Sequence, residues 1–151
     1  MAITAKRVES VPHDGDFFVW TQQTAALLRA GRLNEVDAAA LAEEVEDMGK
    51  RDLRELHNRT ERLLVHLLKW HFQKGKRSRS WKSTILTQRF RIQALLDDSP
   101  SLRPKLLRSL EDDYARATQR AAVETGLKLE RFPSSCPYTL EQLLDTSYLP
   151  S

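Results

Sequence analysis

The sequence predicts an all-α fold: an up-and-down bundle of four main helices, one of them long, plus a short C-terminal helix. Three observations carry that prediction. Leu, Ala, Arg and Glu dominate while Gly and Pro number only 5 and 6, a composition that favours helices. Apolar residues recur at three- and four-residue spacing, and no stretch reads as a strand. The connections between periodic stretches are short, so successive helices become antiparallel neighbours.

Each element follows from local signals. Asp14 or Asp16 can cap a first helix. Phe17, Trp20, Thr24, Leu27 and Leu28 then recur at helical spacing, and Gly31 sits where a left-handed cap would end it. The second helix opens at Asn34 or Asp37, with acidic residues in its first turns, where the positive helix end favours them. Its apolar pattern runs through Leu41, Val45, Met48, Leu53, Leu56, Leu63, Leu64, Leu67 and Leu68 without a proline. Gly49 interrupts it at a cost of about 1 kcal/mol against Ala. One long helix, or two nearly collinear ones, is expected.

A third helix is expected from near Ser80 to Asp98, striped by Trp81, Ile85, Ile92 and Leu95. Ser99 or Ser101 can cap the fourth, which carries Leu106, Leu107, Leu110, Tyr114, Ala117 and Ala121 and closes at Gly126. Residues 127–138 read as an extended, proline-containing stretch. Thr139 to Gln142, "TLEQ", is a capping box that opens the short last helix. Phe132, Tyr138 and Leu143 would pack that C-terminal stretch across the bundle. Residues 1–13 read as a flexible segment and 14–151 as a single domain, which suits a chain of 151 residues.

Net charge is +3, but the charge is polarised along the chain. From Leu33 to Gly49 there is no basic residue, but Glu35, Asp37, Glu43, Glu44, Glu46 and Asp47 are present. From Arg62 to Leu96 there is no acidic residue and there are nine Lys or Arg. Cys136 is the only cysteine, so no intramolecular disulfide can form. The N-terminus lacks the apolar core of a signal peptide, and no apolar run approaches the roughly 18 residues of a membrane span. These features place the protein in the cytoplasm, with no membrane partner, as an expectation.

The segments "DGDFFVWTQQTAALLRAGR", "LAEEVEDMGKRDLREL", "HLLKWHFQ", "SRSWKSTILTQR", "LLDDSPSL" and "AAVETGLKLERFPSSCPYTLEQLLD" occur in this order. Together they resemble a bacterial family known only as domain of unknown function number twenty-nine, over about residues 14–149. The resemblance implies an all-helical fold. It implies no reaction and transfers no functional residue.

The most unusual stretch is "HLLKWHFQKGKRSRSWKSTI", residues 66–85. Lys74, Lys76, Arg77, Arg79 and Lys82 surround the expected start of the third helix, and Arg89 follows two turns on. A helix N-terminus is a poor place for cations unless an anion arrives. These six residues are therefore the candidate phosphate or partner contacts. The competing reading is a solvated, basic tip on a hairpin whose walls, Trp70 and Trp81, are structural.

Other constellations point less far. His57 and Glu61 share a helix face and are expected to form a surface pair. His66 and His71 do not share a face, and the Glu-x-x-His motif of bundle-core metal sites is missing from the sequence, so no metal or cofactor is expected. A third reading, ranked below the two that follow, is an enzyme with a site between helices, using His57, His66 or Glu44. Cys136 in "SSCPYT" reads as a small buried hydrophobe. There is no Gly-rich phosphate loop and no serine-nucleophile elbow. The expected function is a non-enzymatic module that binds a protein partner or a second copy, acidic segment 35–47 to basic segment 62–91. Nucleic-acid binding through 74–91 is the alternative.

Overall fold

The computed structural model describes residues 10–151. Among these the chain is all-helical, with four substantial helices and one short one: α1 Phe17–Arg29, α2 Ala38–Phe72, α3 Arg79–Asp98, α4 Leu102–Thr125 and α5 Leu140–Leu144. Three single 3₁₀ turns, Leu33–Glu35, Lys74–Lys76 and Leu129–Arg131, make the corners. The flexible segment expected over residues 1–13 lies, for residues 1–9, outside the described residues. The chain clusters into two compact units, one ending at Gly49 and one running from Lys50 to Ser151.

In the first unit Asp16, not Asp14, caps α1, its carboxylate accepting from the Val19 N–H. Gly31 takes the left-handed conformation (φ 71°) that the end of α1 requires. Asp37 accepts from Ala40 N and opens α2. Because α2 starts at Ala38, its first turn holds no acid; Glu43 and its neighbours come a turn or more later, beyond the strongest reach of the helix end. Val11 N donates to Gln23 Oε1 at 3.0 Å. His13 Nε2 lies 2.6 Å from Glu44 Oε1, and its ring packs edge-on to Phe17 and Trp20. Trp20, Thr24 and Ala40 are buried.

Gly49 does not break α2, which is continuous over 35 residues. Nothing lies within 4 Å of where a Cβ on Gly49 would sit, so it marks no close helix approach.

The second unit holds the large core. Leu56, Leu63, Leu64, Leu67 and Leu68 of α2 are fully buried with Ile85 and Ile92 of α3 and Leu106, Tyr114 and Ala117 of α4. Each buried Leu or Ile contributes about 1.5–3 kcal/mol. α3 packs against both α4 and α5. The extended stretch after Gly126 crosses the core as expected: Phe132, Tyr138 and Leu143 are buried, and Phe132 meets Phe72 edge-on at 5.3 Å. Tyr114 Oη donates to Pro133 O at 2.7 Å and pins that crossing. Burial drives the Tyr114 phenol far above its ordinary range.

Two caps differ in detail from the sequence reading. α3 starts one residue early, with Ser78 Oγ accepting from Trp81 N. Ser101 precedes α4 without a side-chain cap bond, because its own backbone is already helical (φ −64°, ψ −14°). The capping box at Thr139 and Gln142 forms in both directions.

Candidate functional site

The basic tip is built by the corner between α2 and α3. The last turn of α2 delivers Trp70, a 3₁₀ turn carries Lys74 and Lys76, and Ser78 opens α3. Arg77 folds back over Trp70, its guanidinium 4.9 Å from the ring centre. Arg77 Nε donates to Trp70 O at 2.9 Å and Nη2 to Pro150 O at 3.3 Å. On the other wall, Lys69 Nζ sits 4.9 Å from the Trp81 ring centre. Each tryptophan is thus covered by a cation from the facing segment, a contact worth about 0.5–1 kcal/mol at an exposed site. The hairpin is stapled, by cation–π pairs.

Arg89 is the most deeply placed of the six candidates, with 1% of its surface exposed. Its Nε donates to Leu143 O at 2.8 Å, Nη1 to Tyr148 O at 2.8 Å and Nη2 to Gln142 O at 3.0 Å. It closes the end of α5 and holds the C-terminal tail, where four terminal carbonyls lack helical partners. Burial lowers its pKa from the usual guanidinium value, and the nearby Asp145 carboxylate opposes that. An arginine stays charged regardless.

Between the start of α3 and the tail at residues 146–149 lies a groove of about 500 Å³. Arg79 and Lys82 line it, with Arg89 behind them. Ile85, Leu86 and Leu149 give it an apolar floor, and Ser83, Thr146 and Ser147 supply hydroxyls. No carboxylate lines it. Asp145 stands nearby, and its Oδ1 accepts from Ser147 N and Oγ. The structure therefore gathers Arg79, Lys82 and Arg89 in one groove, leaves Lys74 and Lys76 exposed on the preceding turn, and commits Arg77 to Trp70 and Pro150. On α3 the residues Arg79, Lys82, Leu86 and Phe90 follow at i, i+3 and i+4 steps, so Phe90, which is exposed, extends the same face.

The tail's part in this groove was not legible in the sequence. A cue existed in "DTSYLPS": the hydroxyls of Thr146 and Ser147 and a Leu beside a proline, in a stretch too short to form a helix. Their position depends on Arg89, fifty-odd residues upstream.

The polar residues of α2 are also partnered differently from the sequence reading. His57 and Glu61 do not pair with each other. His57 Nδ1 lies 3.1 Å from both carboxylate oxygens of Asp113 on α4, while Glu61 meets Arg116 and Arg120 at 3.5 and 3.3 Å. Asp113 is fully buried, also bonded to Arg116. Burial raises its carboxyl above the ordinary value, and the His57 hydrogen bond, the His57 charge and Arg116 pull it back. Ser109 Oγ sits 3.4 Å from the same His57 Nδ1. In a nucleophilic triad the carboxylate and the hydroxyl occupy opposite ring nitrogens; here both face one nitrogen, so Asp113 cannot orient His57 to activate Ser109.

The other candidates for a site between helices are engaged separately. His66 Nδ1 lies 2.9 Å from Arg62 O, and burial lowers its pKa. Glu44 holds His13 and raises the imidazole pKa. Among the described residues no three His, Cys, Asp or Glu side chains converge as metal ligands. Cys136 is half-buried, its Sγ 3.4 Å from Tyr138 O, and burial pushes its thiol up, away from the reactive thiolate. No helix among the described residues is long and apolar enough to cross a membrane.

No curated protein and no solved structure matches the chain. The family model described as Domain of unknown function DUF29 matches residues 13–149, which include both α1 and the C-terminal crossing. The chain therefore belongs to this family.

Proposed function

We propose that this protein is a non-enzymatic module that binds a protein partner. The observation that carries this reading is the stripe Leu41, Val45 and Met48 on the acidic first part of α2. The three residues stand at i, i+4 and i+7, and Val45 and Met48 are 60% and 61% exposed. That is the anchor spacing with which an amphipathic helix enters a partner's apolar groove. The geometry around His57, Ser109 and Asp113 supplies no activated nucleophile, which supports the non-enzymatic half of the proposal.

A photo-crosslinking residue in place of Met48, introduced in the source cell, tests the proposal. The expected result is a discrete protein adduct that disappears in a Val45→Glu background. An adduct indifferent to Val45→Glu, or none at all, would sink it.

A second reading, nucleic-acid binding, is favoured by the exposure of Lys74, Lys76, Arg79 and Lys82 in a segment without carboxylates. It requires affinity for single strands that falls with salt by a log–log slope of about 0.7 per phosphate contacted. Filter binding of an oligothymidylate across a salt series decides it.

A further inference from the structure

The groove between α3 and the C-terminal tail shares no residue with the stripe on α2. We infer that it receives an acidic peptide segment of a partner protein, one that carries carboxylates beside large apolar side chains. This rests on the reading of the chain as a protein-binding module.

The lining of the groove carries charge of one sign, and the one carboxylate beside it, Asp145, is bonded to Ser147 and partly offsets Arg89. Arg79 and Lys82 stand on its rim, Arg89 adds its charge from below, and none of the lining residues is acidic. A concave surface with cations of one sign focuses its field on an arriving anion. The geometry then separates a carboxylate peptide from a nucleic-acid strand. Of the six basic candidates, Arg77 is tied to backbone carbonyls through Nε and Nη2, and Arg89 through Nε, Nη1 and Nη2. Lys74 and Lys76 stand on the preceding turn, outside the lining, so Arg79 and Lys82 are the exposed cations of the groove itself, too few to follow a run of phosphates.

Beside these cations and the hydroxyls of Ser83, Thr146 and Ser147, the lining is apolar: Ile85 and Leu86 on α3, with Leu149 on the facing wall and the exposed Phe90 one turn beyond Leu86. A phosphodiester backbone would leave that strip uncovered, whereas Leu or Phe side chains beside a carboxylate would fill it. The hydroxyls of Ser83 and Ser147 can meet the main chain of such a segment.

The wall formed by the tail depends on Arg89, because Tyr148 is held there through its carbonyl. Arg89 is thus a positioning residue for the groove rather than a direct contact.

Fluorescence polarisation of the full chain provides the test. One fluorescein-labelled probe peptide is composed of Glu, Asp, Leu and Phe. Its control replaces every acid with Gln or Asn, and a labelled oligothymidylate and inorganic phosphate serve as competitors. The acidic peptide is expected to bind at least about tenfold more tightly than its neutral control. Arg79→Glu with Lys82→Glu, and separately Leu86→Asp, should each weaken it about tenfold or more. All three positions are exposed, and unchanged thermal melts would confirm that the variants fold.

No binding of the acidic peptide at low salt would overturn the inference. So would equal binding of the neutral control, or displacement by oligothymidylate or phosphate at lower concentration than the peptide itself. These results leave the Met48 crosslink untouched, so loss of the groove proposal and loss of the wider protein-binding reading register in different experiments.

Discussion

The two compact units of this chain differ in how much they bury, although both leave large apolar side chains exposed. The second, Lys50–Ser151, turns polar groups inward: Asp113, Arg89 and Glu61 are all buried, each with named partners. The first leaves apolar groups outward. Phe18 is 71% exposed, and Leu33, Val45 and Met48 are also largely exposed, while only Trp20, Thr24 and Ala40 among its described residues are buried. Buried charge that is fully paired fixes one arrangement of helices, at a cost in desolvation. Exposed apolar surface stabilises nothing until something covers it. The difference separates a unit with a large core pinned by buried polar groups from one with few buried side chains, while candidate contact surface is found on both, at Val45 and Met48 in the first and at Leu86 and Phe90 in the second.

The largest test of that contrast is Arg89→Met. It leaves the carbonyls of Gln142, Leu143 and Tyr148 without their donor, and the expected loss is about 3–5 kcal/mol in urea denaturation. A loss below about 1 kcal/mol would mean that the tail is not held by this clamp.

Next comes the pair Leu67→Ala and Val45→Ala. Leu67 is fully buried, and its truncation should cost about 2–5 kcal/mol. The exposed Val45 should change stability by no more than about 0.5 kcal/mol. Similar costs at the two sites would erase the distinction between core and contact surface.

Two glycines sharpen the comparison further. Neither Gly49 nor Gly126 has any atom within 4 Å of a built Cβ, so space does not decide. Gly126 has φ 72°, and Gly126→Ala should cost about 1–2 kcal/mol. Gly49 lies inside α2, and Gly49→Ala should stabilise by up to about 1 kcal/mol. Thermal melts of the two variants should therefore move in opposite directions.

The smallest effect concerns His13. Its hydrogen bond to Glu44 raises the imidazole pKa above 6.5. A group raised on folding contributes stability that is fully present below its unfolded value and is lost as pH rises through the folded one. Amide exchange near Val11 and Trp20 should therefore quicken, after correction for intrinsic rates, as pH climbs past neutrality. Glu44→Gln should abolish that extra dependence, and a pH response that survives Glu44→Gln would remove His13–Glu44 as its source.

The helices were legible because their signals are local. Asp16, Asp37, the Thr139–Gln142 box, Gly31 and Gly126 act on neighbouring residues, and a period of three to four residues reports one buried face. The errors were also local in origin. Ser101 has the residue type of a cap, but the tight turn from Ser99 already sets its backbone in the helical region, so its hydroxyl is not used. His57 and Glu61 share a face and invite pairing, yet Asp113 on one side and Arg116 and Arg120 on the other offer opposite charges across the helix interface.

The candidate groove was only half legible. Its basic rim stood out as a run of charge, because charge can be counted along a chain. Which of those cations remain available could not be counted. Arg77 and Arg89 look the same as Arg79 in sequence; the carbonyls of Trp70, Pro150, Gln142, Leu143 and Tyr148 distinguish them. The sequence by itself determined the fold class, the helix ends and the polarity of charge, since all three depend on residues a few positions apart. Only the tertiary structure decided which arginines face a ligand and which hold the tail, because a guanidinium goes to whichever acceptors folding brings within about 3 Å, whatever their distance in sequence.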